Sequence, residues 1–130
     1  MKIDITVKGE PDVAPFIKTF QFEKSEEFIF FESIKVIKEK LAKNQSLNIN
    51  ETLALFAGFV TFSLNEEKTI SEIQEHIPKL LLPHQVMIGV PESLQKLVFS
   101  VLINSKKHVF TVTTPIQTSQ YLLCEKEQVL

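Results

Sequence analysis

The stretch "ETLALFAGFVTFSLN", which opens at Glu51, constrains the fold more than any other part of the chain. Leu53, Leu55, Phe56, Phe59, Val60 and Phe62 leave almost no polar face on a helix over about 51–64. Such a helix has to be covered on several sides, by its own domain or by another subunit. Gly58 costs about 1 kcal/mol there relative to Ala, so close approach of a neighbouring backbone is the expected reason for it. Asn50 is the expected cap.

The elements on either side supply the cover. Phe30, Ile34, Ile37 and Leu41 recur at helical spacing behind Ser25, with Phe28 and Phe31 widening the stripe, and predict a helix over about 25–43. Glu26 and Glu27 suit its positive end, and Lys38, Lys40 and Lys43 its negative end. Thr69 and Glu72 form a T-x-x-E box opening a third helix, "ISEIQEHI", that must stop near Pro78. "LLLPHQVMIG" reads as a short helical piece with Pro83 in its first turn and Gly89 past its end.

At both ends of the chain the hydrophobic period changes to two. "KIDITV" alternates Ile3, Ile5 and Val7 with polar neighbours, and "FIKTFQF" returns with Phe16, Phe20 and Phe22 on one face. Residues 1–22 are thus a hairpin or an added edge. "KLVFSVLINSKKHVFTVTT" is an antiparallel hairpin joined at Asn104–Lys107. The expected class is α+β: three to four helices followed by a β-hairpin, with a second hairpin in front as the open addition. One domain covers residues 1–130, with a loose tail expected over 117–130.

Composition excludes several functions. All fourteen basic residues are lysines, and the net charge is −2, so no guanidinium fork or basic excess favours nucleic acid. Eleven Phe against no Trp and one Tyr give large rings with few polar handles, which suits a core or a buried interface. No apolar run approaches the roughly 20 residues of a membrane span, and the first residues lack a signal-peptide core. A single thiol, Cys124, fits a reducing compartment, so a cytoplasmic protein is expected.

No catalytic, cofactor-binding or metal-ligating set emerges. His76, His84 and His108 lie in different elements without ligand spacing. Gly9, Gly58 and Gly89 are too far apart to cradle a phosphate. Cys124 lacks a supporting base. Glu92, in the first helical turn after Pro91, suits backbone donors. "HQVMIGVPESL", halted by Gly89 and restarted by Pro91, reads as a joint rather than a site.

Four collinear segments resemble the urease γ subunit family. "LAKNQSLNINETLAL" carries Leu41, Ala42, Leu47, Asn48, Glu51, Ala54 and Leu55 of its first motif. "EEKTISEI" is similar to its Gly-Lys-Thr-Val-Ala-Glu-Leu stretch through Lys68, Thr69 and Glu72. "QVMIGVPESL" matches through Gln85, Val86, Met87, Gly89, Val90, Pro91 and Glu92. "HVFTVTTPI" matches through Val109, Thr111, Val112, Pro115 and Ile116. The chain departs by its first 22 residues, its last fourteen, and "NSKK" in place of an aspartate-glycine hairpin turn.

The resemblance covers about 25–116 and implies a γ-type core over 23–116. It also implies a non-catalytic subunit of an enzyme that hydrolyses urea to ammonia and carbamate, with nickel held by the partner large subunit and none in this chain. Implied partners are urease β and α subunits in a trimeric assembly. The alternative is a γ-like protein that self-assembles with no urease role.

Overall fold

The computed structural model describes residues 1–9 and 14–116. Strand β1 (Lys2–Lys8) and strand β2 (Phe16–Gln21) come first, then a 3-10 turn and helix α1 (Glu27–Ala42). Helix α2 (Ile49–Asn65), helix α3 (Ile70–His76) and a short helix α4 (Val90–Ser93) follow. Strands β3 (Lys96–Ile103) and β4 (Lys106–Thr113) complete the order. The class is α+β, as the alternation of hydrophobic periods implies. The loose tail expected over 117–130 lies outside the described residues.

Both hairpins exist, but they do not stand apart. They merge into one four-stranded antiparallel sheet in the order β2-β1-β3-β4. In this register Ile3 faces Phe20 and Val101, Ile5 faces Lys18 and Phe99, and Val7 faces Phe16 and Leu97. Period two puts these residues on one face, and Ile3, Ile5, Val7, Leu97, Phe99 and Val101 are all buried there. Phe99 and Phe110, cross-strand partners, stack at 4.9 Å between ring centroids. The other face is solvated, with Asp4 accepting from the Thr19 hydroxyl at 2.6 Å.

Helix α2 lies between this sheet and α1, which is why it is apolar nearly all round. Thr52, Leu53, Leu55, Phe56, Ala57, Gly58, Val60, Thr61 and Ser63 are buried along it. The buried Thr52 and Thr61 hydroxyls turn back to the carbonyls four residues earlier, Asn48 and Ala57, so neither is left unsatisfied. A Cβ at Gly58 would stand 2.8 Å from Ile34 Cγ1, so glycine lets α1 press directly on α2. At the other end of the sheet Gln74 of α3 donates to the Thr111 carbonyl at 3.0 Å.

Several local expectations are corrected. The α2 cap is Asn48, not Asn50: the Asn48 side chain accepts from Glu51 N–H at 2.8 Å, and Glu51 accepts from Asn48 N–H at 2.9 Å. Phe28 does not widen the buried stripe of α1, because it is 72% exposed; Phe30, Ile34 and Ile37 carry that face. The β3–β4 turn is only Asn104-Ser105, both with positive φ, the geometry that matches strand twist in a two-residue hairpin. Phe22 lies past the end of β2 and stacks on Phe30 at 4.7 Å, tying the hairpin to α1.

Candidate functional site

The family-motif residues fall into two groups that the fold brings together and one that it does not. Leu47, just before α2, is fully buried and forms a parallel bridge with Val86. Its N–H donates to the Gln85 carbonyl at 3.0 Å, and its carbonyl accepts from Met87 N–H at 2.8 Å. The α1–α2 connection is therefore stitched to the joint. Beside it, Asn48 and Glu51 form the reciprocal cap, and Lys40 Nζ donates to Glu51 Oε1 at 2.8 Å. The Asn48 backbone hydrogen bond, and after it Lys40, hold the Glu51 carboxyl below the ordinary glutamate range.

In the joint itself Gly89 has φ of 94°, and nothing lies within 4 Å of where its Cβ would be. Backbone conformation, not crowding, demands glycine there. The chain restarts at once: Val90 is buried, Pro91 stands in the first turn of α4, and the Ser93 hydroxyl donates to the Gly89 carbonyl at 2.8 Å. Glu92 is exposed in that turn, where its charge suits the helix start. Val86 points inward, whereas Met87 is 44% exposed and Ile88 is fully exposed. His84 and Glu92 both border an open depression of about 590 Å³ around this joint.

The third group lies elsewhere. Thr69 caps α3, accepting from Glu72 N–H at 3.2 Å, while Lys68 and Glu72 are exposed. Pro115 and Ile116 are buried after β4. These residues hold the start of α3 and the segment after β4, and do not converge with the joint. His76 lies against the Phe59 ring at 5.3 Å, and His108 is on β4 opposite Val101. Among the described residues no three of His, Cys, Asp or Glu group as metal ligands. Cys124 lies outside the described residues.

What sequence reading missed is the exposed apolar surface. Ile29 and Val36, seven residues apart on α1, are 67% and 63% exposed, and Phe62 of α2 is 56% exposed. Between α1 and α2 lies an apolar cavity of about 250 Å³ walled by Phe31, Ile34, Leu55, Phe59, Phe62 and Leu80, with Lys38 at its border. The seven-residue spacing of Ile29 and Val36 was the available signal. Lys40 as the bridge to Glu51 had none, because its partner stands on the next helix.

This geometry defines a small α+β scaffold in which the motif residues stitch backbone turns together and leave apolar side chains outside. No helix among the described residues is long and apolar enough to cross a membrane. The family model for the urease gamma subunit matches residues 19–116, and the chain belongs to that family. A urease subunit gamma from Halalkalibacterium halodurans is 27% identical over 95 residues, which span 73% of this chain and 94% of that one.

Proposed function

We propose that this chain is a non-catalytic γ-type structural subunit of a urease complex. The observation that carries the reading is the urease gamma match over 19–116, which takes in α1 to α4 and the β3–β4 hairpin. Exposed Ile29, Val36, Phe62 and Ile88 support it, because an obligate subunit keeps part of its apolar surface for partners. In this role the chain packs against urease β and α subunits in a trimeric, cytoplasmic assembly. Nickel and the urea-hydrolysing residues then belong to the large partner. This chain's own work is to keep the Gly89–Pro91 joint and the α1–α2 pair rigid, so that those surfaces meet their partners preformed.

Co-expression with candidate large and middle subunits tests this directly. A single co-eluting, urea-hydrolysing complex that contains this chain is the expected outcome. Elution of the chain alone at every salt and temperature tried would sink the proposal.

One observation favours a second reading, self-assembly without a urease role. β1 lies outside the family match, yet it stands in the middle of the sheet. Light scattering discriminates: a stable homo-oligomer with no affinity for the other subunits supports the second reading.

A further inference from the structure

The strand at the middle of the sheet lies outside the family match. The urease gamma match starts at residue 19, so all of β1 and the first half of β2 precede it. The Halalkalibacterium relative has 94% of its length inside its match. Too little remains outside for a seven-residue strand, a turn and part of a second strand. Nevertheless β1 pairs with β3 along its whole length, from Lys2 opposite Leu102 to Lys8 opposite Lys96. Ile3, Ile5 and Val7 are at most 1% exposed. A chain starting at residue 19 would leave the β3 edge as a row of unpaired N–H and C=O groups, a template for a strand from another polypeptide.

The edge that replaces it is built differently. β2, with six residues, is one residue shorter than β1, and it places Lys18 on the inner face opposite Ile5. The Lys18 ammonium stands 5.6 Å from the Phe20 ring centroid, where the ring face and solvent share its charge. A further strand laid along β2 would take that ammonium out of water, at a cost unless the strand brought a carboxylate opposite it. Inward-pointing charge on an edge strand is one of the ways in which sheets refuse extension. Without it, the exposed Phe16 and Ile17 would make β2 an inviting edge.

We propose that the β1–β2 hairpin is a built-in sheet cap. It fills the β3 edge from within the chain and ends the sheet at a strand guarded by Lys18. On this side of the sheet, association with other polypeptides by strand addition is therefore refused. This goes beyond the urease reading and holds for either assembly described above.

The test uses the full chain. Lys18→Val removes the guard and raises β-propensity, and Lys18→Arg keeps the charge. Light scattering over a hundredfold concentration range should show new self-association for Lys18→Val, with at least a tenfold rise in apparent affinity, and none for Lys18→Arg. Unchanged mass for Lys18→Val overturns the guard. Two arms do not depend on that variant folding. Hydrogen exchange across Lys96–Ile103 should be as slow as in the core of α2; exchange at the rate of a free edge overturns the cap. A disulfide between Thr6→Cys and Val98→Cys, register partners, in a Cys124→Ser background should leave every association of the parent intact. Association lost on oxidation and restored by reductant would show that the hairpin must open, and the proposal fails. The first two arms need no urease partner, so their failure is distinct from failure of the urease reading.

Discussion

Lys40 Nζ donates to Glu51 Oε1 at 2.8 Å, which ties the last turn of α1 to the first turn of α2 through a single carboxylate. The same oxygen accepts the Asn48 N–H at 2.9 Å, so one residue caps the start of α2 and pairs with a lysine in the last turn of α1. Because the folded state lowers the Glu51 pKa, chiefly through the Asn48 N–H and next through Lys40, the carboxylate contributes stability above its unfolded pKa. That contribution is lost as pH falls through the lowered folded value. Glu51→Gln should cost about 1 kcal/mol at neutral pH, the scale of a lost cap, and should flatten the acid limb of stability against pH. Urea denaturation from pH 7 down to pH 3 measures both.

Gly58→Ala should destabilise the chain in spite of the better helix propensity of alanine. The new methyl would meet Ile34 Cγ1 at 2.8 Å, well inside ordinary contact. Overpacking of about 1–3 kcal/mol is set against about 1 kcal/mol of propensity gained. Pairing it with Ile34→Ala should recover part of the loss, so a double-mutant cycle by chemical denaturation should show coupling of the two sites.

Glu67 and Ser105 are two of the five non-glycine residues with positive φ among the described residues. Glu67, just past α2, has φ of 60°, and Ser105, the second turn residue between β3 and β4, has φ of 64°. Glu67→Gly and Ser105→Gly should each raise stability by about 0.5–1 kcal/mol by relieving left-handed strain, and the gains should add. Thermal melts of both single variants and the double variant check this.

Gly89→Ala should lose about 1–2 kcal/mol, because φ of 94° is strained for a Cβ even with open space around it. The loss should appear as faster amide exchange at Met87 and Val90, the residues whose N–H groups hold the joint closed.

Val36→Asp and Ile88→Asp should leave the stability of the isolated chain within about 0.5 kcal/mol, since both side chains are exposed. Each should weaken co-elution with urease partners at least tenfold, measured by pull-down against the parent. Equal recovery of parent and variants would remove these residues from the assembly surface.

Much of this fold is legible residue by residue. The three-to-four-residue spacing of Phe30, Ile34, Ile37 and Leu41 and the alternation of Ile3, Ile5 and Val7 name a helix and a strand, because each period is local. The partner of β1 is not legible in that way. Its pairing with β3 joins segments far apart in the sequence, and nothing near Lys2 signals it. The cap was within reach: Asn48 followed three residues later by Glu51 is a box, and Asn50 lacks that partner. Phe28 shows the limit of counting rings, because helical phase, not hydrophobicity, decides which ring goes inside. The joint is legible as backbone at Gly89 and Pro91, yet not as an open depression that His84 and Glu92 share.

The sheet order also dictates when the molecule can finish folding. β1 leaves the ribosome ahead of α1 to α4, but its long partner β3 comes only after them. Until then Ile3, Ile5 and Val7 have only β2 beside them, and a lone hairpin is marginal in water. The helices, rich in local contacts, should therefore form early, with closure of the sheet as the slow step. During synthesis, this opening segment is where a chaperone would find the most to hold.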